Sequence, residues 1–242
     1  MKRIMLAMAC LALLGACATY YTTPAGGVSL ASISEKDGEI ADAFKREPAM
    51  SFPARLAVAR VAASGYRSMT NEGYGSGAFS VVTVRDIESD GAVTTLQAMP
   101  NIAGVAPLTR IMLPSSLQST RDLRESAAQL RADAILIYTL DTSFRTESTQ
   151  IGPLQTIALG MFSTENAIVT STCSFVIMDV RTGFIYGTGE TTAREEQRSN
   201  LWGTQDAADK ARQAAESRAF DDGIVEVGKL WKSIVLEHAA EG

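Results

Sequence analysis

Residues 119–140 read STRDLRESAAQLRADAILIYTL, and this stretch decides the fold class. A helix is predicted from Ser119 or Thr120 to about Arg131, because a hydroxyl at its start satisfies free backbone amides and apolar residues recur at helical spacing. The run 134–140 follows at once and is continuously apolar, as in a strand covered on both faces. A helix that leads directly into a buried strand is typical of α/β proteins.

Further apolar runs on both sides of this unit predict the rest of a sheet. Residues 55–62 are rich in small and β-branched residues and predict a second central strand. Residues 168–180 and 184–192 predict an antiparallel hairpin, because Gly183 in the short connection can adopt a positive φ. The expected fold is therefore a single α/β domain with a mixed sheet, made of central strands plus a C-terminal antiparallel hairpin and packed by helices.

Three other segments carry weaker signals. Residues 109–113 predict a short strand that ends at Pro114. Residues 79–107 leave strand and helix open, although β-branched residues favour a strand at the start. Residues 204–238 predict a long helical region whose apolar stripe changes side near Asp221-Asp-Gly223, so a bend or break is expected there.

The N-terminus has the organisation of a bacterial export signal. Lys2 and Arg3 precede a short apolar run, and Leu14-Gly-Ala-Cys17 resembles the lipobox at which a lipoprotein signal peptidase cuts. The resemblance implies that Cys17 becomes the first residue, diacylated on its sulfur and acylated on its amine. The alternatives are a secretory signal cut elsewhere and an anchor that is retained.

This interpretation divides the chain and gives it a location. Residues 1–16 are the removed signal peptide, residues 17–54 a tether and N-terminal arm, and residues 55–242 the periplasmic domain with its long C-terminal helical region. Ala18 in place of an Asp implies sorting to the outer membrane, so the protein is expected to be lipid-anchored on the periplasmic face of that membrane.

Charge and cysteine content exclude several classes of protein. The chain has 22 Lys+Arg and 27 Asp+Glu, and removal of Lys2 and Arg3 leaves 20 against 27, a net charge of −7. No basic tract occurs, so no nucleic-acid partner is expected. With Cys10 removed and Cys17 lipidated, Cys173 is the one remaining thiol. It has no partner for an internal disulfide, and its strand-like setting indicates a small buried residue.

No catalytic, cofactor-binding or metal site is indicated. His238 is the only histidine and lies five residues from the end, a poor position for a rigid active site. Gly73-Tyr-Gly-Ser-Gly77 fits a dinucleotide fingerprint only superficially, because no strand turns there into a helix. The neighbours Glu195 and Glu196, like Asp221 and Asp222, predict solvated charged faces. We therefore expect no cofactor and no enzymatic activity.

Three stretches carry a resemblance to known envelope lipoproteins: residues 130–136, Val176-Ile-Met-Asp-Val-Arg-Thr-Gly183 and the Ala-rich final helix. They resemble the periplasmic domain of the curli-secretion lipoprotein, and the layout resembles the rhombotarget lipoproteins still more closely, including the apolar stretch 154–162. The resemblance implies a fold of the curli-secretion type. It does not extend to that family's pore, because residues 193–200 are too charged and too short for lipid-facing strands.

Two function classes remain. The first is a non-catalytic binding or assembly lipoprotein that contacts a protein partner or forms a homo-oligomer. The second is a carboxylate-based envelope hydrolase, which requires two acidic residues that converge in a pocket; a secretion-pore subunit is the weaker third. The apolar stretch 154–162 is either core, a membrane-touching loop or a partner surface. Its candidate partner-surface residues are Leu154, Ile157, Leu159, Met161 and Phe162.

Overall fold

The computed structural model of the protein describes residues 27–29, 43–148, 165–199 and 204–239. The lipidation expected at Cys17 and the candidate partner surface at Leu154, Ile157, Leu159, Met161 and Phe162 lie outside the described residues.

A six-stranded mixed sheet forms the centre of the described structure, and two further strands form a small separate sheet. The strands are β1 (Ala54–Ala63), β2 (Ser76–Gly77), β3 (Phe79–Val82), β4 (Ile102–Pro107), β5 (Ser116–Leu117), β6 (Ala134–Ser148), β7 (Glu165–Asp179) and β8 (Ile185–Ser199). In the large sheet, β1 is parallel to β6 on one side. The other edge of β1 is shared by β4, which is parallel to it, and β3, which is antiparallel. β6, β7 and β8 then continue as an antiparallel meander, and β2 and β5 form the separate two-stranded sheet.

Helices pack on both faces of the sheet. α1 (Asp90–Gln97) and α3 (Thr204–His238) contribute to a core on one face with Leu136 and Trp231 at its centre. α2 (Thr120–Gln129) packs on the other face through Leu123 and Ala127. The predicted α/β domain with a mixed sheet is confirmed, since the expected central strands are β1 and β6 and the expected hairpin is β7 and β8.

Local sequence signals account for the unit that decides the fold. Ser119 caps α2: its side chain accepts from the first turn, and Asp122 accepts from the backbone of Ser119 at 3.0 Å, which completes a capping box. In β6, Ile135, Leu136 and Ile137 are all buried, because successive side chains meet the cores on opposite faces.

The hairpin connection explains the motif at residues 179–183. The buried Asp179 carboxylate accepts from the amides of Arg181 and Thr182 at 2.8 and 3.0 Å, and Gly183 takes a φ of +72°. The second oxygen of Asp179 accepts from the Tyr186 hydroxyl and the Ala49 amide, each at 2.8 Å. This motif therefore has a structural role in closing the turn.

Two sequence predictions are wrong. The strand expected at residues 109–113 is a 3₁₀ helix at Arg110–Met112, because β3 and β4 already occupy the free edge of β1 and leave no partner for another strand. The break expected near Gly223 is absent, because α3 is continuous from Thr204 to His238. A Cβ at Gly223 would lie 3.3 Å from Cys173 Sγ and from Thr191 Oγ1, so this glycine lets the helix lie close to the sheet.

The segment 79–107, which the sequence left open, contains both kinds of element. It begins with β3, as β-branched residues favoured, continues through α1 and ends with β4. Among the described residues, no helix combines the length and the apolar character required to cross a bilayer.

Candidate functional site

A cluster of charged side chains lies buried between the sheet and α3. Arg60 of β1 is 4% exposed and lies between the buried apolar residues Ala59 and Val61 of that strand. Its Nη1 lies 2.8 Å from Asp86 Oδ1 and 3.5 Å from Glu88 Oε1, and its Nη2 lies 3.4 Å from Glu216 Oε2. One guanidinium therefore faces three carboxylates.

Arg212 of α3 is the second cation of this cluster and is fully buried. Its Nε lies 2.9 Å from Asp209 Oδ1 and its Nη1 lies 2.6 Å from Glu216 Oε2. The spacing of three and four residues places Asp209, Arg212 and Glu216 on one side of the helix. Glu216 thus bridges the two arginines.

Two neutral hydroxyl groups donate further hydrogen bonds to carboxylates of this cluster. The Tyr138 hydroxyl donates to Glu88 Oε1 at 2.5 Å, and the Thr142 hydroxyl donates to Glu216 Oε1 at 2.9 Å. These donors come from β6, so the cluster joins the centre of the sheet to α3 and to the loop before α1. We name Arg60, Asp86, Glu88, Asp209, Arg212 and Glu216 the charge cluster.

The pKa values of the charge cluster reflect burial and an excess of negative charge. Burial raises the pKa of Glu216, and the nearby Arg212 and Arg60 oppose this shift without cancelling it. Burial by itself would lower the pKa of Arg60, but the charges of Glu88 and Glu216 outweigh it and hold the pKa above its ordinary value. Burial, and then the charge of Glu88, raise the pKa of Tyr138 well above its ordinary value.

This arrangement suits structural ion pairing better than acid–base chemistry. A carboxylate-based hydrolase needs two carboxyl groups that reach the same substrate bond, whereas each carboxylate of the charge cluster faces an arginine. A cavity of about 50 Å³ lies beside Arg60 and Tyr138, and Glu88 is the one carboxylate among the described residues that line it. That volume holds roughly one or two water molecules.

The opposite face of the sheet carries a much larger open cleft, of about 840 Å³. Its floor consists of neighbouring residues on three strands: Thr139 of β6 lies opposite Ser174 of β7, and Ser174 lies opposite Glu190 of β8. α2 packs on this face nearer β1 and contributes no residue to the lining that the structure describes. We name this feature the sheet cleft.

The lining of the sheet cleft is rich in hydrogen-bonding groups and carries negative charge. Thr139, Ser174 and Thr188 supply hydroxyls, and Asp141 and Glu190 supply carboxylates. The Ser174 hydroxyl donates to Glu190 Oε1 at 2.8 Å and thereby orients that carboxylate. No Lys or Arg is found among its described lining residues, so the cleft favours a basic or hydrogen-bond-donating ligand group.

The N-terminal arm forms one wall of the sheet cleft. Val28 is 9% exposed, belongs to the core on this face, and donates its amide to Thr139 Oγ1 at 3.1 Å. A Cβ on Gly27 would lie 3.0 Å from Thr139 Oγ1, so glycine permits the close approach of the arm to β6. The arm therefore contacts the domain at the cleft itself.

The structure places the residues that the sequence singled out at separate positions. Cys173 is buried and free, as predicted, and burial raises the pKa of its thiol to about 12. His238 is 19% exposed and lies against Tyr186, with ring centroids 5.3 Å apart, so it is less exposed than its terminal position suggested. Within the described ranges, no three His, Cys, Asp or Glu side chains are arranged to hold a metal ion.

The other residues that the sequence singled out take part in ion pairs or in close packing. Glu195 pairs with Arg218 at 2.6 Å and Glu196 pairs with Arg194 at 2.8 Å, on opposite faces of β8. A Cβ on Gly73 would lie 2.2 Å from Ser80 Oγ, so close packing accounts for that glycine. Neither the charge cluster nor the sheet cleft was predicted from the sequence.

Comparisons with known proteins supply limited information. No family model matches the chain, and no curated protein matches it. Similar solved structures include a minor lipoprotein of Acinetobacter baumannii (9% identity, 73% of this chain and 93% of that chain, TM-score 0.35) and a lipoprotein of Neisseria meningitidis (13% identity, 66% and 94%, TM-score 0.28). The dodecameric PelC of Paraburkholderia phytofirmans is similar at 14% identity (71% and 90%, TM-score 0.27). Scores of this size establish neither a shared fold nor a shared function.

Proposed function

We propose that this chain is a lipoprotein held in the outer membrane through Cys17, and that its periplasmic domain is a non-catalytic binding module. The Leu-Gly-Ala-Cys sequence at residues 14–17 supports the lipid anchor. The sheet cleft supports the binding role. Its partner is a segment of another envelope protein that carries basic side chains.

The observation that carries this proposal is the contrast between the two faces of the sheet. On the α3 face, each of the acidic groups that converge is already paired with Arg60 or Arg212. On the other face, Asp141 and Glu190 line an open cleft of about 840 Å³ among hydroxyls. Donors and acceptors fixed on three adjacent strands lose little conformational entropy when a ligand binds.

Basic side chains are the best complement to these groups. Carboxylates accept charge-assisted hydrogen bonds from Lys and Arg, and these bonds are stronger than those between neutral groups. A segment with one or two such side chains would place them against Asp141 and Glu190 while its backbone contacts Thr139 and Thr188. Val28 and Val176 add apolar contact area beside these polar groups.

The length of the N-terminal arm limits the distance between the sheet cleft and the membrane. Ten residues separate Cys17 from Gly27 (27 − 17), and an extended chain spans at most about 3.6 Å per residue, or about 36 Å. With Cys17 in the bilayer, the cleft would therefore remain within about 36 Å of the lipid surface. A partner at or near that surface is within its reach.

The apolar stretch 154–162 remains a second proposed contact surface. Leu154, Ile157, Leu159, Met161 and Phe162 would supply an apolar docking area that complements the polar cleft. Under this proposal, Ile157→Asp leaves the domain folded and reduces recovery of a partner or an oligomer. If the stretch is core, the same change lowers the stability of the domain.

Site-specific photocrosslinking in intact cells tests the binding role. A photoreactive residue in place of Thr188, at the rim of the sheet cleft, is expected to capture a discrete envelope protein, identified by mass spectrometry. The matched control replaces Leu236, which is 80% exposed. Leu236 belongs to α3, the helix that packs on the opposite face of the sheet. Equal capture from the two positions, or none from Thr188, would contradict the proposal.

A further inference from the structure

β8 is an edge of the six-stranded sheet. In the part of the chain that the structure describes, it pairs with β7 alone, and its other side has no strand. Beyond the irregularity opposite Ile177, the register with β7 is regular from Gly187 to Ser199. A long, regular edge presents a row of backbone N–H and C=O groups that can pair with another strand.

The two faces of this edge differ in what covers them. Thr191 and Glu195 point toward α3: the Thr191 hydroxyl donates to the Ala219 carbonyl at 2.6 Å, and Glu195 pairs with Arg218. The alternate residues lie on the sheet-cleft face and are exposed. These exposed residues are Thr188, Glu190, Thr192, Arg194 and Glu196.

We infer that a second copy of this chain pairs with β8, antiparallel, about a twofold axis at Thr192. In such a pair, residues equidistant from the centre lie opposite each other on the same face. Glu190 of each copy then faces Arg194 of the other, and Thr188 of each faces Glu196 of the other. Symmetry gives two attractive charge pairs, and no like charges lie opposite one another.

Neighbouring registers lack this complementarity. An axis at Ala193 sets Glu190 against Glu196 twice. An axis at Arg194 or at Glu195 sets that charged residue against its own copy. An axis at Thr191 forms no charge pair at all. Because like charges directly opposite each other destabilise a strand pair, Thr192 is the favoured centre.

The side chains that would meet are already oriented in the monomer. Glu190 accepts from the Ser174 hydroxyl at 2.8 Å, and Arg194 is held by Glu196 on the same strand at 2.8 Å. An axis through Thr192, normal to the sheet, joins the two sheets edge to edge and places both sheet clefts on the same side. This inference goes beyond the proposed function, because it adds a second copy of this chain to the separate partner of the sheet cleft.

Cysteine crosslinking of the full-length protein in membranes tests the axis. Thr192→Cys is expected to crosslink to its own copy through a short bismaleimide, because opposite Cβ atoms in antiparallel pairs lie about 4.5–5.5 Å apart. Thr188→Cys should not crosslink to itself, but should crosslink when co-expressed with Glu196→Cys. Equal self-crosslinking at 192 and 188, or none at 192, would overturn the inference.

Charge exchange gives an independent test that a general loss of folding cannot imitate. In the Thr192→Cys background, Glu190→Arg or Arg194→Glu alone creates two like-charge pairs and is expected to reduce the crosslink about tenfold or more. Co-expression of the two single variants restores both attractive pairs and should restore the crosslink between them. Failure of this rescue would contradict the pairing.

The outcomes separate this inference from the proposed function. Loss of the self-crosslink with continued capture of another protein from position 188 removes the dimer and leaves the binding role. A self-crosslink without capture of any other protein supports the dimer and removes the separate basic partner. The mass of each crosslinked product distinguishes the two.

Discussion

Arg212→Met is expected to destabilise the domain more than the loss of any single carboxylate of the charge cluster. Arg212 is fully buried, and it lies 2.9 Å from Asp209 and 2.6 Å from Glu216. The cluster has two arginines and four carboxylates, so the change takes it from two against four charges to one against four. Breaking a buried pair in this way costs about 3–5 kcal/mol.

The expected loss of stability in Arg212→Met is a large part of the total stability of a typical domain. Typical stabilities are about 5–15 kcal/mol, and a domain of this length loses roughly 2–4 °C in melting midpoint for each kcal/mol. The variant should therefore melt roughly 6–20 °C below the parent protein. Urea unfolding followed by circular dichroism, on protein lacking its first seventeen residues, measures the change in the free energy of unfolding.

Glu216→Leu is the variant whose stability is compared with that of Arg212→Met. Glu216→Leu removes a negative charge from a cluster that has an excess of them, and its raised pKa shows that its charged form is disfavoured there. It should therefore cost less than Arg212→Met. The double variant removes one charge of each sign, so it should be more stable than the sum of the two single effects predicts.

The pH dependence of the stability of Arg212→Met tests whether unpaired negative charge causes its loss of stability. Without Arg212, Glu216 loses the positive charge that most opposes the effect of burial, so its pKa in the folded state rises further above that in the unfolded chain and the folded variant binds protons more readily. Its deficit relative to the parent should shrink as the pH falls from 7 toward the unfolded carboxyl pKa of about 4. An Arg212→Met protein within 1 kcal/mol of the parent at pH 7, or a larger cost for Glu216→Leu, would refute this account of the cluster.

Three other experiments test the buried strand β6, the burial of Cys173 and the lipid anchor at Cys17. Leu136→Asp should prevent folding, because a buried unpaired carboxylate costs several kcal/mol and Leu136 is 1% exposed between two strands; Leu236→Asp is the control, and a melting midpoint near that of the parent would contradict the buried position. The Cys173 thiol, with a pKa of about 12, should react with a disulfide reagent at pH 8 only after denaturation, since about one part in 10⁴ is thiolate; rapid reaction in the native protein would contradict this burial. Cys17→Ser should leave the signal uncut or release the protein from membranes, and unchanged mass and fractionation would argue against lipidation.

The central part of the fold could be predicted because its sequence signals are local. Three consecutive apolar residues, Ile135 to Ile137, directly after a predicted helix favour a strand covered on both faces, and the structure buries all three. The β7–β8 hairpin was equally accessible, because Gly183 marks a turn between two long strand-like runs. The 3₁₀ helix at 110–112 was not, because it depends on which edges of the sheet are already occupied.

The charge cluster was missed because charged residues were expected to face solvent. The buried stripe of α3 is continuous once Arg212 and Glu216 are counted as buried with Ala219 and Gly223. Without them the stripe appeared to change side, which led to the wrong expectation of a break in the helix. Arg60 has apolar residues on both sides in β1, and this was the available signal, because a buried arginine needs buried carboxylates.

The sheet cleft was missed for a different reason. Thr170, Thr172 and Ser174 lie on one face of β7 and alternate with buried residues, so this face of the strand is polar. The alternation does not say whether a helix covers that face. This depends on where α2 packs and where the arm crosses β6, and both follow from contacts between distant parts of the chain.

The central claim is that the sheet cleft holds a protein partner, and Ser174→Trp tests it most directly. Ser174 lies on the floor of the cleft, so an indole there would occupy the space and remove the hydrogen bond to Glu190. Val225→Trp, at a site 57% exposed on α3, is the matched control. The measurement is the yield of partner captured by a photoreactive residue at position 188, with the melting midpoint of each variant determined in parallel. The account predicts loss of capture for Ser174→Trp, full capture for Val225→Trp and similar midpoints for both; full capture by a folded Ser174→Trp protein would contradict it.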